Sequence, residues 1–106
     1  MIEIRTYRRA DGTVPFDRWM AKLRDVRARA RILVQLDRLM LGLAGDWKSV
    51  GGGVYELRIT EGKGYRVYFG REGATLVILL CGGDKSTQRR DIEKAKSIWK
   101  TYRDER

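Results

Sequence analysis

From Val54 to Phe69 apolar and polar side chains alternate, with Tyr55, Leu57 and Ile59 in one set and Tyr65, Val67 and Phe69 in another. A period of two marks half-buried strands. A three-residue loop at Glu61-Gly62-Lys63 joins them as a hairpin, with Gly62 or Gly64 available for a positive φ. Pairing odd residues with odd places both apolar sets on one face. The same register gathers Glu56, Arg58, Arg66 and Tyr68 on the other, which predicts an open, charged face. Glu72-Gly73 then turns the chain into Thr75–Cys81, an unbroken apolar run that predicts a central strand covered on both sides.

Residues 2–8 alternate in the same way and predict a first strand, closed by a turn at Asp11-Gly12. Pro15 suits the first turn of a helix, where its missing N–H would be unpaired anyway. That helix, over 15–25, presents Phe16, Trp19, Met20 and Leu23 at helical spacing. A second helix over 26–43 carries Ile32, Leu33, Leu36, Leu39, Met40 and Leu43, with Gly42 and Gly45 as a C-terminal stop. Asp46 to Gly53 ends in three successive glycines but lacks the Lys-Ser/Thr of a phosphate-cradling loop, so it predicts a flexible connector. A last helix over 86–102, with Ser86 as N-cap, aligns Ile92, Ala95, Trp99 and Tyr102 on one side as core contacts. The order strand, two helices, three strands, helix predicts an α+β domain with a small, mostly antiparallel sheet and helices packed on one face.

At 106 residues the chain suits one domain, 1–106, and is too short for two. Its 23 Lys+Arg against 14 Asp+Glu give a formal charge of +9, which changes the picture more. Such a surplus works against compactness and points to a polyanionic partner, with nucleic acid first and an acidic protein second. A membrane partner is not expected, since no segment approaches the roughly 20 apolar residues of a spanning helix and MIEIRTYRR lacks a signal peptide's apolar core. The single Cys81 reads as a buried structural thiol in a reducing cytoplasm. With no histidine and one cysteine, the sequence offers no histidine-based triad and speaks against a transition-metal site, so no metal or cofactor is expected.

Two arginines side by side on a rigid strand pair suit a phosphate or carboxylate ligand. RNA cleavage without metal needs a base for the 2′-hydroxyl, cations for the phosphorane and an acid for the leaving oxygen. Arginines supply the cations, and Glu56, Lys63, Tyr68, Asp84 and Lys85 are the possible proton carriers. A Glu56 held near Arg58 and Arg66 suits orientation more than proton abstraction, which leaves Lys85 or Lys63 as the better base. Arg24, Arg27, Arg31 and Arg38 fall close to one line if the helical run is continuous. That line serves either as a solvated face or as a stripe for an acidic partner or a phosphate backbone.

The runs VYELRI, GKGYRVYF and LVILLCGGDKSTQRRDIEKAK resemble the toxin subunits of the RelE/ParE superfamily, closest to its HigB-type, phage-associated addiction-module killer branch. The likeness is carried by Glu56-Leu57-Arg58, Gly64-Tyr65-Arg66-Val67-Tyr68, Gly82-Gly83-Asp84-Lys85, Asp91-Ile92 and Ala95, and the element order agrees from about residue 2 to 101. It implies a RelE-like fold and a type II toxin, neutralised by a cognate antitoxin that often bears a helix-turn-helix. It further implies a ribosome-dependent mRNA endonuclease, with the ribosome and mRNA as partners; ParE-like members instead poison DNA gyrase, and fold does not choose. By that resemblance Arg66 matches the strand arginine that holds the scissile phosphate. Arg58 and Glu56 lie where ribonuclease members place basic or acidic groups, and Lys85 near a further basic position after the last strand.

The expected catalytic set is thus Arg66, Lys85, Arg58 and Glu56, with Lys63, Tyr68, Arg89 and Arg90 touching RNA. Arg24, Arg27, Arg31 and Arg38 would meet the antitoxin. Many ribonuclease members carry a histidine or tyrosine near the start of the last helix, where this chain has Gln88, Arg89, Arg90, Asp91 and Ile92. A non-catalytic gyrase inhibitor and a small basic RNA-binding protein are the alternatives.

Overall fold

A computed structural model of the chain describes residues 1–43 and 45–105. Its elements are β1 (Glu3–Thr6), α1 (Pro15–Lys22), α2 (Val26–Met40), β2 (Trp47–Gly51), β3 (Val54–Ile59), β4 (Tyr65–Glu72), β5 (Leu76–Gly83), a 3-10 turn at Lys85–Thr87 and α3 (Gln88–Asp104). The strands form one sheet in the order β1-β5-β4-β3-β2. β1 runs parallel to β5 and the other pairings are antiparallel, so the sheet is mixed but mostly antiparallel. The odd-with-odd register of the central hairpin holds, with Glu56 opposite Tyr68 and Arg58 opposite Arg66.

The expected connector at 46–53 contains a strand. Trp47 and Ser49 pair with Leu57 and Tyr55, and the Trp47 indole meets the Tyr55 and Phe69 rings edge-on at 5.6 and 6.0 Å. That aromatic contact holds the segment on the sheet, and the glycines at 51–53, all at positive φ, form the turn into β3.

The helices do not share one face. α1, the link after it and α2 cover Leu57, Ile59, Tyr65, Val67, Phe69, Val77 and Leu79 through Phe16, Leu23, Ala28, Ile32 and Leu39. α3 covers the opposite face, where Ala95, Ile98 and Trp99 meet Val54, Tyr68, Ile78 and Leu80. The physical cause lies in β5: its apolar side chains point both ways, so water has to be kept from both faces. A bulge between β4 and β5, where Tyr68 faces Cys81 but Phe69 faces Leu79, lets Leu80 and Cys81 both join the α3 side.

Successive glycines at the end of β5 allow both layers to approach. A Cβ on Gly82 would collide with the Trp19 indole from α1, and one on Gly83 with the Asp91 carboxylate from α3. The two helical segments after β1 are also separate. α1 stops at Lys22, Leu23 is extended, and the Asp25 carboxylate caps α2 by accepting from the Ala28 N–H at 3.0 Å. Leu33, expected in the apolar stripe, is exposed, whereas Ile32 and Leu39 are buried. At the other end Asp84, not Ser86, is the cap: its carboxylate accepts from the Ser86 N–H at 2.9 Å and starts the 3-10 turn.

Candidate functional site

The charged face of the β3–β4 hairpin is not open. α3 lies over it, leaving Glu56 and Tyr68 0% exposed and Arg66 8% exposed. Charge survives there because the opposite charges stand together and most of their polar atoms are hydrogen-bonded. Glu56 Oε2 accepts from the Tyr68 hydroxyl at 2.9 Å and from Gln88 Nε2 at 2.9 Å. Arg66 Nε stands 3.7 Å from the same oxygen, and Arg66 Nη1 donates to the Gly64 carbonyl at 2.6 Å. The register of β3 and β4 sets the first contact, and the first residue of α3 sets the second. Glu56 Oε1 and Arg66 Nε remain without a hydrogen-bond partner among the described residues. The Tyr68 phenol is pushed above the ordinary tyrosine range, first by burial and then by its bond to Glu56, so it stays a neutral donor at physiological pH.

Tyr68, expected to touch RNA, therefore has no surface with which to do so. It and Glu56 hold Arg66 in place from beneath. Gln88 completes the arrangement and has no signature of its own in the hydrophobic pattern; its position at the start of the last helix is the only signal that could have singled it out.

At the open end of the hairpin the backbone brings three basic residues close together. The Lys85 N–H donates to the Lys63 carbonyl at 3.4 Å, tying the exit of β5 to the hairpin loop. A Cβ on Gly64 would stand 3.5 Å from Arg66 Nη1 and 3.7 Å from Lys85 Cβ, so Arg66 and Lys85 share the space that this glycine leaves. Lys63 and Lys85 are both exposed. Arg66, Lys85 and Lys63 are thus brought together. Asp84, beside them, is held below the ordinary carboxylate range, first by the Ser86 hydroxyl, and is tied up as a cap.

Arg58 parts from this group although its Cα faces that of Arg66. Its guanidinium turns to Asp46, with Nη2 3.2 Å from Oδ1. There it lines a groove of about 330 Å³ with Arg31, Gln35 and Arg38 from α2. Arg27 and Arg31 both flank the Glu61 carboxylate, at 3.8 and 3.9 Å. Arg24 lies in the link between the helices, off the line the other three make, because the helical run is broken at Leu23–Asp25. Arg89 and Arg90 are exposed on the first turn of α3, beside Ser86 and Thr87.

Asp91, part of the sequence signature, is buried and accepts from the Thr87 hydroxyl, while its own carbonyl lies 3.8 Å from Cys81 Sγ. The Cys81 thiol is pushed up to about 12 by burial, which makes it inert and structural. No helix among the described residues is long and apolar enough to cross a membrane.

Residues 18–103 match the family described as phage-derived protein Gp49-like (DUF891). An uncharacterized protein of Haemophilus influenzae is 56% identical over 86 residues, which cover 81% of this chain and 87% of that protein. The α+β architecture and the mixed five-stranded sheet are compatible with a RelE-like fold. The chain belongs to the Gp49-like family, a RelE-like toxin family associated with toxin–antitoxin systems.

Proposed function

We propose that the protein is a type II toxin of the HigB kind that arrests translation by cutting mRNA on the ribosome, without a metal. The observation that carries this reading is the meeting of Arg66, Lys85 and Lys63 at the hairpin end, with Arg66 braced from below by Glu56, Tyr68 and Gln88. A braced guanidinium is a preorganised partner for a phosphate that gains charge as a 2′-oxygen attacks it. In this reading Arg66 holds the scissile phosphate and Lys85 takes the proton from the 2′-hydroxyl. Lys63, with Arg89 and Arg90 on the adjoining helix turn, tracks the neighbouring backbone. Glu56 is a positioning residue, as are Tyr68 and Gln88. Arg58 contributes through the α2 groove instead.

A proton donor for the leaving oxygen is the missing part, since Tyr68 is walled off and the chain has no histidine. The ribosome orients the mRNA and supplies part of the effective molarity, so the cytoplasm is the site of action and naked RNA is barely cut. A cognate antitoxin, with a helix-turn-helix domain of its own, keeps the toxin silent.

The same missing donor favours a second reading, a ParE-like inhibitor of DNA gyrase, because a surface that only binds needs no acid. Induced expression, with translation, transcript ends and plasmid supercoiling followed together, separates the two. Transcript ends positioned by the ribosome, lost in Lys85→Ala, are the expected result. Intact transcripts with relaxed or cleaved DNA would sink the endonuclease reading.

A further inference from the structure

A second basic groove, of about 320 Å³, opens beside the end of β5, away from the Glu56–Arg66 cluster. Arg9 from the loop after β1, Arg18 and Lys22 from α1, and Lys94 from α3 line it, with Cys81 and Gly82 at its base. Among the described residues no acidic side chain lines it. None of the four cations has a side-chain hydrogen bond or ion pair among the described residues. Asp11 stands near enough for Arg9 and Arg18 to help hold it below the ordinary carboxylate range, but its carboxylate is taken first by the Thr13 N–H and hydroxyl. The Cys81 thiol, protonated at neutral pH, adds no negative charge.

Folding does not require this convergence. Arg18 and Lys22 are one helical turn apart on α1, and that helix reaches the sheet here because Gly82 leaves room for Trp19. Lys94 arrives from the opposite layer. Cations collected from three elements, unpaired, around a concave space repel one another unless an anion occupies it. Trp19 and Lys22 also wall a neighbouring groove of about 620 Å³ that continues past Arg24 to Lys63 and Tyr65; the two carboxylates on its wall, Asp25 and Asp84, are engaged as caps by the Ala28 and Ser86 N–H groups. The two grooves together form a track with an aromatic side chain between them; Lys22, Arg24 and Lys63 line its larger part, and it ends at Lys63, whose carbonyl accepts from the Lys85 N–H. A positive groove interleaved with an aromatic is the arrangement that single-stranded nucleic acid fits.

We propose that the Arg9–Arg18–Lys22–Lys94 groove holds a backbone phosphate of single-stranded RNA, whose chain runs past Trp19 to the Lys63/Lys85 rim. The inference rests on the reading of this protein as one that acts on RNA. It adds an anchoring site whose four cations are not among the residues that carry the family likeness.

The test uses a labelled 2′-O-methyl oligoribonucleotide, which cannot be cut through its own 2′-oxygen, and the full-length protein at several salt concentrations. Arg18→Ala combined with Lys94→Ala should weaken binding on the order of tenfold at low salt. The slope of log affinity against log salt should become shallower by about 0.7 for the one phosphate lost. Arg29→Ala with Lys48→Ala removes the same charge from exposed positions outside the groove and should leave the slope in place. Urea unfolding of both double variants verifies that they are folded. An unchanged slope in the groove variant, or an equal change in the control, would overturn the proposal. So would displacement of the oligonucleotide by inorganic phosphate at equal phosphate concentration, because the groove would then select a free anion and not a strand. Loss of slope together with absence of transcript cleavage in cells would retain the groove and remove the endonuclease reading. Cleavage without any groove effect would do the reverse.

Discussion

Replacing Tyr68 by phenylalanine keeps the ring that fills the core and removes only the hydroxyl that donates to Glu56. Glu56 would retain Gln88 and the nearby Arg66, so the loss should be about 1–3 kcal/mol, the scale for leaving a buried acceptor short of a partner. Arg66→Ala should cost more, about 3–5 kcal/mol, because it leaves a carboxylate buried without its cation. Equilibrium urea unfolding with unchanged m separates these values. A loss below 1 kcal/mol for Arg66→Ala would mean that Glu56 is not held as described. The open charged face expected from sequence would have made that substitution a surface change of little consequence.

Titration belongs to the same scale. Burial raises both the Cys81 thiol, to about 12, and the Tyr68 phenol. Each binds its proton more tightly folded than unfolded, so its contribution is complete below the unfolded value and declines as pH rises toward the folded one. With no histidine in the chain, unfolding free energy should be nearly flat from about pH 6 to 8 and fall above about pH 9. Cys81→Ala should remove the first part of that fall and leave the part that begins near pH 10. A stability that rises between pH 9 and 11 would contradict both assignments.

At the scale of elements, the end of β5 is where the two helical layers and the sheet are locked together. Gly83→Ala would push a methyl group into the Asp91 carboxylate, which is itself fixed by the Thr87 hydroxyl. Overpacking of this kind costs about 1–3 kcal/mol. The strain falls on the first turn of α3, so Gln88 should also lose its hold on Glu56. The expected outcome is a lower melting temperature together with lower toxicity, and Thr87→Val in the same background should recover neither. Gly73→Ala, at a turn with open space around it, supplies a comparison in which only the positive φ is strained. If Gly83→Ala matched it in both readouts, close approach of α3 would not be what requires glycine at 83.

For the whole molecule the charge of +9 is the governing quantity. An acidic, partly apolar antitoxin segment would be drawn to it and would associate faster at low salt. The α2 face suits first contact, since Arg31, Arg38 and Arg58 line one groove and exposed Leu33 and Val34 lie on the same helix. Reversing Arg27→Glu with Arg31→Glu, next to Glu61, should slow association with the cognate antitoxin and make its rate less dependent on salt. Stability should change little, because these pairs are long and their arginines are exposed. Toxicity of the free protein should persist. Unaltered association with loss of toxicity would assign the stripe to the ribosome or to nucleic acid.

Local sequence was sufficient wherever one short-range rule governed. Alternation placed β3 and β4 in register, and the loop, 60–64 in place of the expected 61–63, keeps that register because both lengths are odd; Pro15 opened α1, and the apolar run of β5 announced a strand covered on both sides. The basic surplus and the signature residues around Glu56, Arg66 and Gly82-Gly83 were likewise legible, and they pointed to the RelE-like toxins, among which the Gp49-like match places the chain without assigning the HigB branch. Exposure was not. Whether the polar face of a hairpin meets water depends on which layer the last helix covers, and that follows from β5 pointing apolar groups both ways and from Gly83 admitting Asp91. Tertiary packing therefore turned Glu56 and Tyr68 from surface groups into supports, brought in Gln88 across 32 residues, and sent Arg58 to α2 through Asp46. It also gathered Arg9, Arg18, Lys22 and Lys94, which no spacing along the chain connects. Periodicity reports which side chains share a face of one element; only the packing of distant elements decides what stands opposite that face.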